Sequence, residues 1–262
     1  MSAPGSSRRL SVFRVLLFVG SAFVVAALLK GLFGVLPTLG PVLVGLVVAS
    51  VVAYRWHRRT KLVRMLRRGE VNEIISEWSD RFDALPHGET LAPLLTATAF
   101  AAYGRVDDAR RALAHAARGP AWDAAIEHRL FLEVILNTFE GQGDAALSSS
   151  ARLSTLPIPE ARHLRDRVTS MREDSAALAR AFAHRSRPGD LDRLERASEA
   201  SPLVFWAMRY AAAVVAIDEG DLARAADLVA GAPNWPEISA FRAFHDEIEG
   251  EIALRRARGV NA

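Results

Sequence analysis

Forty consecutive residues, Val15 to Tyr54, carry a single charge, Lys30. A helix crosses the ~30 Å hydrocarbon core of a bilayer with about 20 apolar residues. One unbroken helix over this stretch would be ~60 Å long, about twice what a bilayer needs. The segment therefore has to fold back on itself, and Gly34, Pro37, Gly40 and Pro41 mark where. Spans are expected near 15–33 and 37–54, with both prolines in the first turn of the second helix, where the missing N–H costs least. Lys30 lies close enough to the far interface to snorkel.

Positive charge sets the orientation of such a hairpin. Arg8, Arg9 and Arg14 precede the first span, and Arg55, Arg58, Arg59, Lys61, Arg64, Arg67 and Arg68 follow the second. Both ends are expected on the cytoplasmic side of an inner (cytoplasmic) membrane, residues 1–14 as a basic tail and 55–68 as a basic juxtamembrane helix. Two other readings of the N-terminus carry less weight. A twin-arginine signal opening at Ser7-Arg8-Arg9 would want Phe where Ser11 stands. A cleaved signal would need a convincing small-x-small site before a polar region, and instead a second apolar span follows at once. Ala22 and Ala26 on the first span, and Gly45, Ala49 and Ala53 on the second, have the four-residue spacing that lets helices approach in lipid. That spacing serves packing within the hairpin or a homo-oligomer through it.

Charge separates at the same boundary. Residues 1–68 hold eleven Arg and Lys and no acid, whereas residues 69–262 hold 22 Arg against 30 Asp and Glu. The basic pI of about 9.8 thus belongs to the membrane-proximal part. The remainder is acidic, which argues against a nucleic-acid partner. The chain has no cysteine, which excludes disulfides, zinc-thiolate sites, iron–sulfur clusters and cysteine nucleophiles.

After Arg68 the pattern is helical throughout, rich in alanine and arginine. A short phrase recurs, a glycine that ends one helix just before the next begins: Gly69-Glu70, Gly104-Arg105, Gly143-Asp144, Gly189-Asp190 and Gly220-Asp221. The glycine supplies a left-handed conformation, and an Asp after it can cap the next helix. The intervals of 35, 39, 46 and 31 residues are those of a helix–turn–helix array.

Residues 206–236, with Ala213, Gly220-Asp221, Ala225 and Ala232, resemble the tetratricopeptide repeat family. Residues 90–120 match similarly, through Ala97, Phe100, Gly104, Ala109, Leu113 and Ala116, and residues 55–86 more loosely, ending at Pro86. Most of the family's helix-A Trp and Tyr residues are missing. Ser148 and Leu194 stand at its helix-B alanine position. The resemblance implies a TPR-like α-solenoid of about five helix–turn–helix units over 69–236, so the expected fold is all-α, a transmembrane hairpin followed by that solenoid. Residues 237–262 form a capping helix and tail, with a polar outer face of Glu247, Glu251, Arg255 and Arg258. With no break between Val51 and Arg68, the second span is expected to run on into the first repeat.

No chemistry is legible. The seven histidines form no pair at i, i+4, and the P-loop, dinucleotide-binding and nucleophile-elbow motifs are absent. Asp107-Asp108 and Asp190/Asp192 sit at helix starts, where the helix dipole favours them. No enzyme activity, cofactor or metal is expected. The family's concave groove, projected onto this chain, implies Leu94, Thr98, Glu133, Asn137, Tyr210, Val214 and Asp218 as the surface for a protein or peptide partner. Glu133 stands where a carboxylate clamp would need a lysine, so the groove suits an apolar or basic segment. The expected function is a membrane-anchored scaffold or adaptor. The alternatives are an anionic-lipid reader through Arg55–Arg68 and a periplasm-facing repeat protein.

Overall fold

The computed structural model describes residues 63–82 and 85–260, and the isolated positions 49, 50, 52, 53 and 60. The two expected spans lie outside the described residues apart from four of those positions. Among the described residues no helix is long and apolar enough to cross a membrane. The chain divides into two compact units, Met1–Lys61 and Leu62–Ala262. Arg64, Arg67 and Arg68 thus belong with the second unit.

The described residues are all-helical, with no strand among them. Residues 63–68 are helical and are followed by α1 (Val71–Phe82), α2 (Gly88–Ala102), α3 (Val106–Ala116), α4 (Ile126–Phe139) and α5 (Gly143–Ser154). Then come α6 (Arg162–Phe182), α7 (Asp190–Ala200), α8 (Phe205–Asp218), α9 (Leu222–Val229) and α10 (Ala240–Val260). Each helix from α1 to α9 packs on the next, and α2, α4, α6, α8 and α10 also touch in that order. The even-numbered helices thus form a continuous row, with α3, α5, α7 and α9 laid against it.

The turns show how the sequence builds this row. Gly69, Gly104, Gly189 and Gly220 adopt the left-handed conformation, but Gly143 does not; Gly141 does, at φ +72°. Gly143 instead opens α5, where its Cα passes so close to α6 that a Cβ would sit 3.3 Å from that of Ala183. With Gly141 as the pivot, the residues five places after Gly69, Gly104, Gly141, Gly189 and Gly220 are Ile74, Ala109, Ala146, Leu194 and Ala225. All five are fully buried. Ser148, expected at the small buried position of that unit, is exposed. Ala146 holds the position instead, because the turn begins two residues earlier than the Gly-Asp phrase implies. Of the residues expected to cap a helix, Asp221 does so, its carboxylate accepting from the amide of Arg224 at 3.0 Å. Asp190 turns instead to Arg180, whose Nη2 and Nε donate to it at 2.6 and 2.8 Å.

Alanine at these positions lets the helices of a pair approach closely. Ala225 is fully buried and Ala223 exposed on the same helix. Ala225→Leu is expected to overpack the contact and cost about 1–3 kcal/mol, and Ala223→Leu to stay within ~0.5 kcal/mol. Denaturant titration of the two variants checks this, and equal effects would count against the register.

The C-terminal segment returns to the start of the domain. Trp235 packs against Gly69 and Tyr103. Ser239 Oγ donates to the carbonyl of Tyr103 at 2.6 Å, and the amide of Ala240 to that of Gly104 at 2.8 Å. Phe241, fully buried, then meets Phe139 at the end of α4, and Phe244 meets Phe182 at the end of α6. On the far side, Trp206 of α8 donates from its indole to the carbonyl of Arg67 at 3.0 Å. The apolar residues of α10, Phe241, Phe244, Ile248 and Ile252, recur at helical spacing and face this row. Of the expected polar outer face, Glu247 and Arg258 are exposed. Glu251 and Arg255 are half-buried and paired, and Arg255 Nη1 donates to the carbonyl of Ile217 at 2.6 Å. That contact places a cation at the carbonyl end of α8, where the helix dipole favours it.

Candidate functional site

The C-terminal ends of α4, α6 and α8 come together beside α10 and leave a cleft of about 330 Å³. That is near the lower end of the size range of small ligand pockets. Phe182, Val214, Ile217, Phe244 and Ile248 make its apolar wall, and His184, Asp218, Glu247, Glu251 and Arg255 line it with polar groups. Phe139, Phe182 and Asp218 each stand two places before a left-handed residue, Gly141, His184 and Gly220 respectively. The cleft is thus the place where corresponding helix ends line up. His184 holds its left-handed conformation (φ 52°) without being glycine, and its Nδ1 lies 2.9 Å from Asp218 Oδ2.

Charge at the mouth is predominantly acidic. Arg255 is bound to Glu251 and to the carbonyl of Ile217. Among the described residues Asp218 has only the exposed His184 ring as a partner, and exposed Glu247 pairs with no cation. Glu219, next to Asp218, is also exposed.

Of the groove residues implied by the family resemblance, Val214 and Asp218 line this cleft. Leu94 and Tyr210 are fully buried, so neither presents a surface to a partner. Tyr210 accepts from the indole of Trp235 at 2.6 Å, and burial pushes its own hydroxyl well above the ordinary tyrosine range. Thr98 is buried, and its hydroxyl donates to the carbonyl of Leu94 at 2.8 Å. With that single hydrogen used, Thr98 Oγ1 accepts from Nε2–H of His128 at 2.7 Å. Burial lowers the His128 pKa, which keeps the ring in this neutral form. Glu133 and Asn137 sit elsewhere: Asn137 accepts from Arg110 of α3 at 2.7 Å, and Glu133 adds to the field on that same guanidinium, which Glu140 holds most strongly. Their displacement follows from the two-residue shift of the turn to Gly141, which puts Phe131 and Ile135 at the corresponding places.

Of the basic cluster, Arg64, Arg67 and Arg68 are exposed, and Arg55, Arg58, Arg59 and Lys61 lie outside the described residues. Arg67 has partners within the domain: its guanidinium lies 4.6 Å from the centroid of the Phe205 ring and 3.7 Å from Glu199. Trp206 and Trp235 are core residues, and Trp122 is half-buried beneath the guanidinium of Arg129. Among the described residues no three His, Asp or Glu side chains converge as a metal site would need.

Sequence reasoning missed Phe182, His184, Phe244 and Ile248. The 241, 244, 248, 252 spacing on the last helix was a usable signal, since it marks a face too apolar for an outward cap. No family model, no curated protein and no solved structure matches this chain.

Proposed function

We propose that this chain is a non-enzymatic, membrane-anchored scaffold whose TPR-like α-solenoid recognises a protein or peptide segment in the cytoplasm. The observation that carries this reading is the cleft at the ends of α4, α6 and α8, an apolar recess with polar lips that α10 leaves uncovered. Support for the repeat class comes from the left-handed Gly69, Gly104, Gly141, Gly189 and Gly220, each followed five residues later by a fully buried side chain. Such hairpins cannot bury their apolar faces alone and are stable only when stacked. The anchor rests on the apolar stretch from Val15 to Tyr54 and its flanking arginines.

Two measurements test the two halves of this reading. A photoreactive residue at Val214, in the full chain in its membrane, should give discrete protein adducts, while one at exposed Ala223 gives none. Absence of adducts from Val214 would remove the recognition site. A reporter fused after Ala262 should be active only if it works in the cytoplasm. Periplasmic activity there would overturn the hairpin topology.

A further inference from the structure

We infer that the cleft between α6, α8 and α10 takes a partner segment in which an apolar side chain stands next to an arginine or lysine. This rests on the scaffold reading above and names the class of ligand it would bind. The apolar wall of Phe182, Val214, Phe244 and Ile248 is continuous with the core, and α10 leaves it open to solvent. Burying an aliphatic or aromatic side chain there gains about 25 cal/mol for each Å² removed from water. An apolar wall alone does not choose a sequence; the lip does.

On the lip, Arg255 already donates from Nε to Glu251 and from Nη1 to the carbonyl of Ile217, so much of its charge is answered within the domain. Asp218 and Glu247 both line the opening, one from α8 and one from α10, and both are exposed. Exposed Glu219 adds to the same field. A cation beside the buried apolar residue would reach one or both carboxylates, whereas an anion there would meet like charge, which costs specificity for acidic segments. His184 Nδ1 lies 3.2 and 2.9 Å from the two carboxylate oxygens of Asp218 and fixes that group at the end of α8.

A random heptapeptide display library, selected against the full chain in detergent micelles, tests this directly. Selection on the wild type should enrich Leu, Ile or Phe adjacent to Arg or Lys. The variant Asp218→Lys with Glu247→Lys should instead enrich the same apolar residues adjacent to Asp or Glu. Lysine at 218 is compatible with the carbonyl end of α8, and position 247 is exposed. If the double variant does not fold, the wild type alone decides. A selected peptide should bind about five- to tenfold more weakly after Arg→Gln in the peptide, and more weakly again at high salt. Identical enrichment on both proteins, no enrichment on the wild type, or no loss from Arg→Gln would each overturn the inference. A partner adduct from Val214 together with such a result would leave the scaffold standing and remove only the ligand class. Adducts joining two copies of this chain would reassign the cleft to self-association.

Discussion

Phe241→Ala is expected to cost about 3–5 kcal/mol, the range for removing a fully buried phenylalanine. The ring is completely excluded from solvent. Its centroid lies 5.2 Å from Phe139, 5.0 Å from Trp235 and 5.3 Å from Tyr210, so three aromatic partners lose a neighbour together. Aromatic pairs of this kind add about 0.5–1.5 kcal/mol each beyond the area they bury. The partners come from α4, α8 and the segment before α10, which cannot all collapse into the space left, so relaxation recovers little of the loss. Ile238, three residues earlier and 65% exposed, is the internal control. Ile238→Ala should stay within ~0.5 kcal/mol. Chemical denaturation of the full chain in mild detergent, followed through indole fluorescence, checks both. A loss at Phe241 no larger than that at Ile238 would mean that the start of α10 is not docked into the row of helices.

The helix pairs were legible because their contacts leave a local mark. Paired helices need small side chains where they touch, and Ala97 on α2, Ala109 on α3, Ala213 on α8 and Ala225 on α9 are fully buried. The register slipped where the local mark was ambiguous. Gly141-Gln142-Gly143-Asp144 offers two glycines, and the Asp after the second makes it look like the pivot. The choice is made at the end of α6, where Ala183 approaches Gly143, whereas a Cβ on Gly141 would meet nothing within 4 Å. That tertiary fact carried Ser148, Glu133 and Asn137 to the wrong places. The docking of α10 was illegible for a related reason. Its partners, Tyr103, Gly104, Phe139 and Phe182, lie some 60 to 140 residues away, and nothing in the helix period says which surface an apolar face will meet. The same holds for buried Arg172, which donates to half-exposed Glu127 and to the carbonyls of Leu156 and Pro157 yet reads in sequence as one more surface arginine. Of the residues that line the cleft, Val214 and Asp218 on α8 stand among the groove positions named from the sequence, and those on α6 and α10 do not.

Gly104→Ala is the second large effect, and it probes the closure from the opposite side. Gly104 is left-handed at φ +65°, a conformation that costs an L-residue about 1–2 kcal/mol. Its missing side chain also matters. A Cβ would lie 2.9 Å from Ser239 Oγ and 3.0 Å from the amide nitrogen of Phe241, and the second of these is backbone that cannot rotate away. The Gly104 carbonyl meanwhile accepts the hydrogen bond from Ala240 that starts α10. Strain and overpacking together are expected to cost about 2–5 kcal/mol. Gly220 separates the two causes. It is also left-handed, at φ +85°, but nothing lies within 4 Å of where its Cβ would be. Gly220→Ala should therefore show the conformational cost alone, about 1–2 kcal/mol. Both variants share the small gain from a stiffer unfolded chain, so the difference between them isolates the packing of residues 239–241 on the end of α2. Limited proteolysis gives a second readout, since a weakened closure should let the 231–239 segment open locally and be cut faster. Faster cutting is expected for Gly104→Ala and not for Gly220→Ala. If the two variants lose the same stability and are cut at the same rate, Gly104 is only a turn residue, and α10 is held by its own hairpin contacts with α8 and α9.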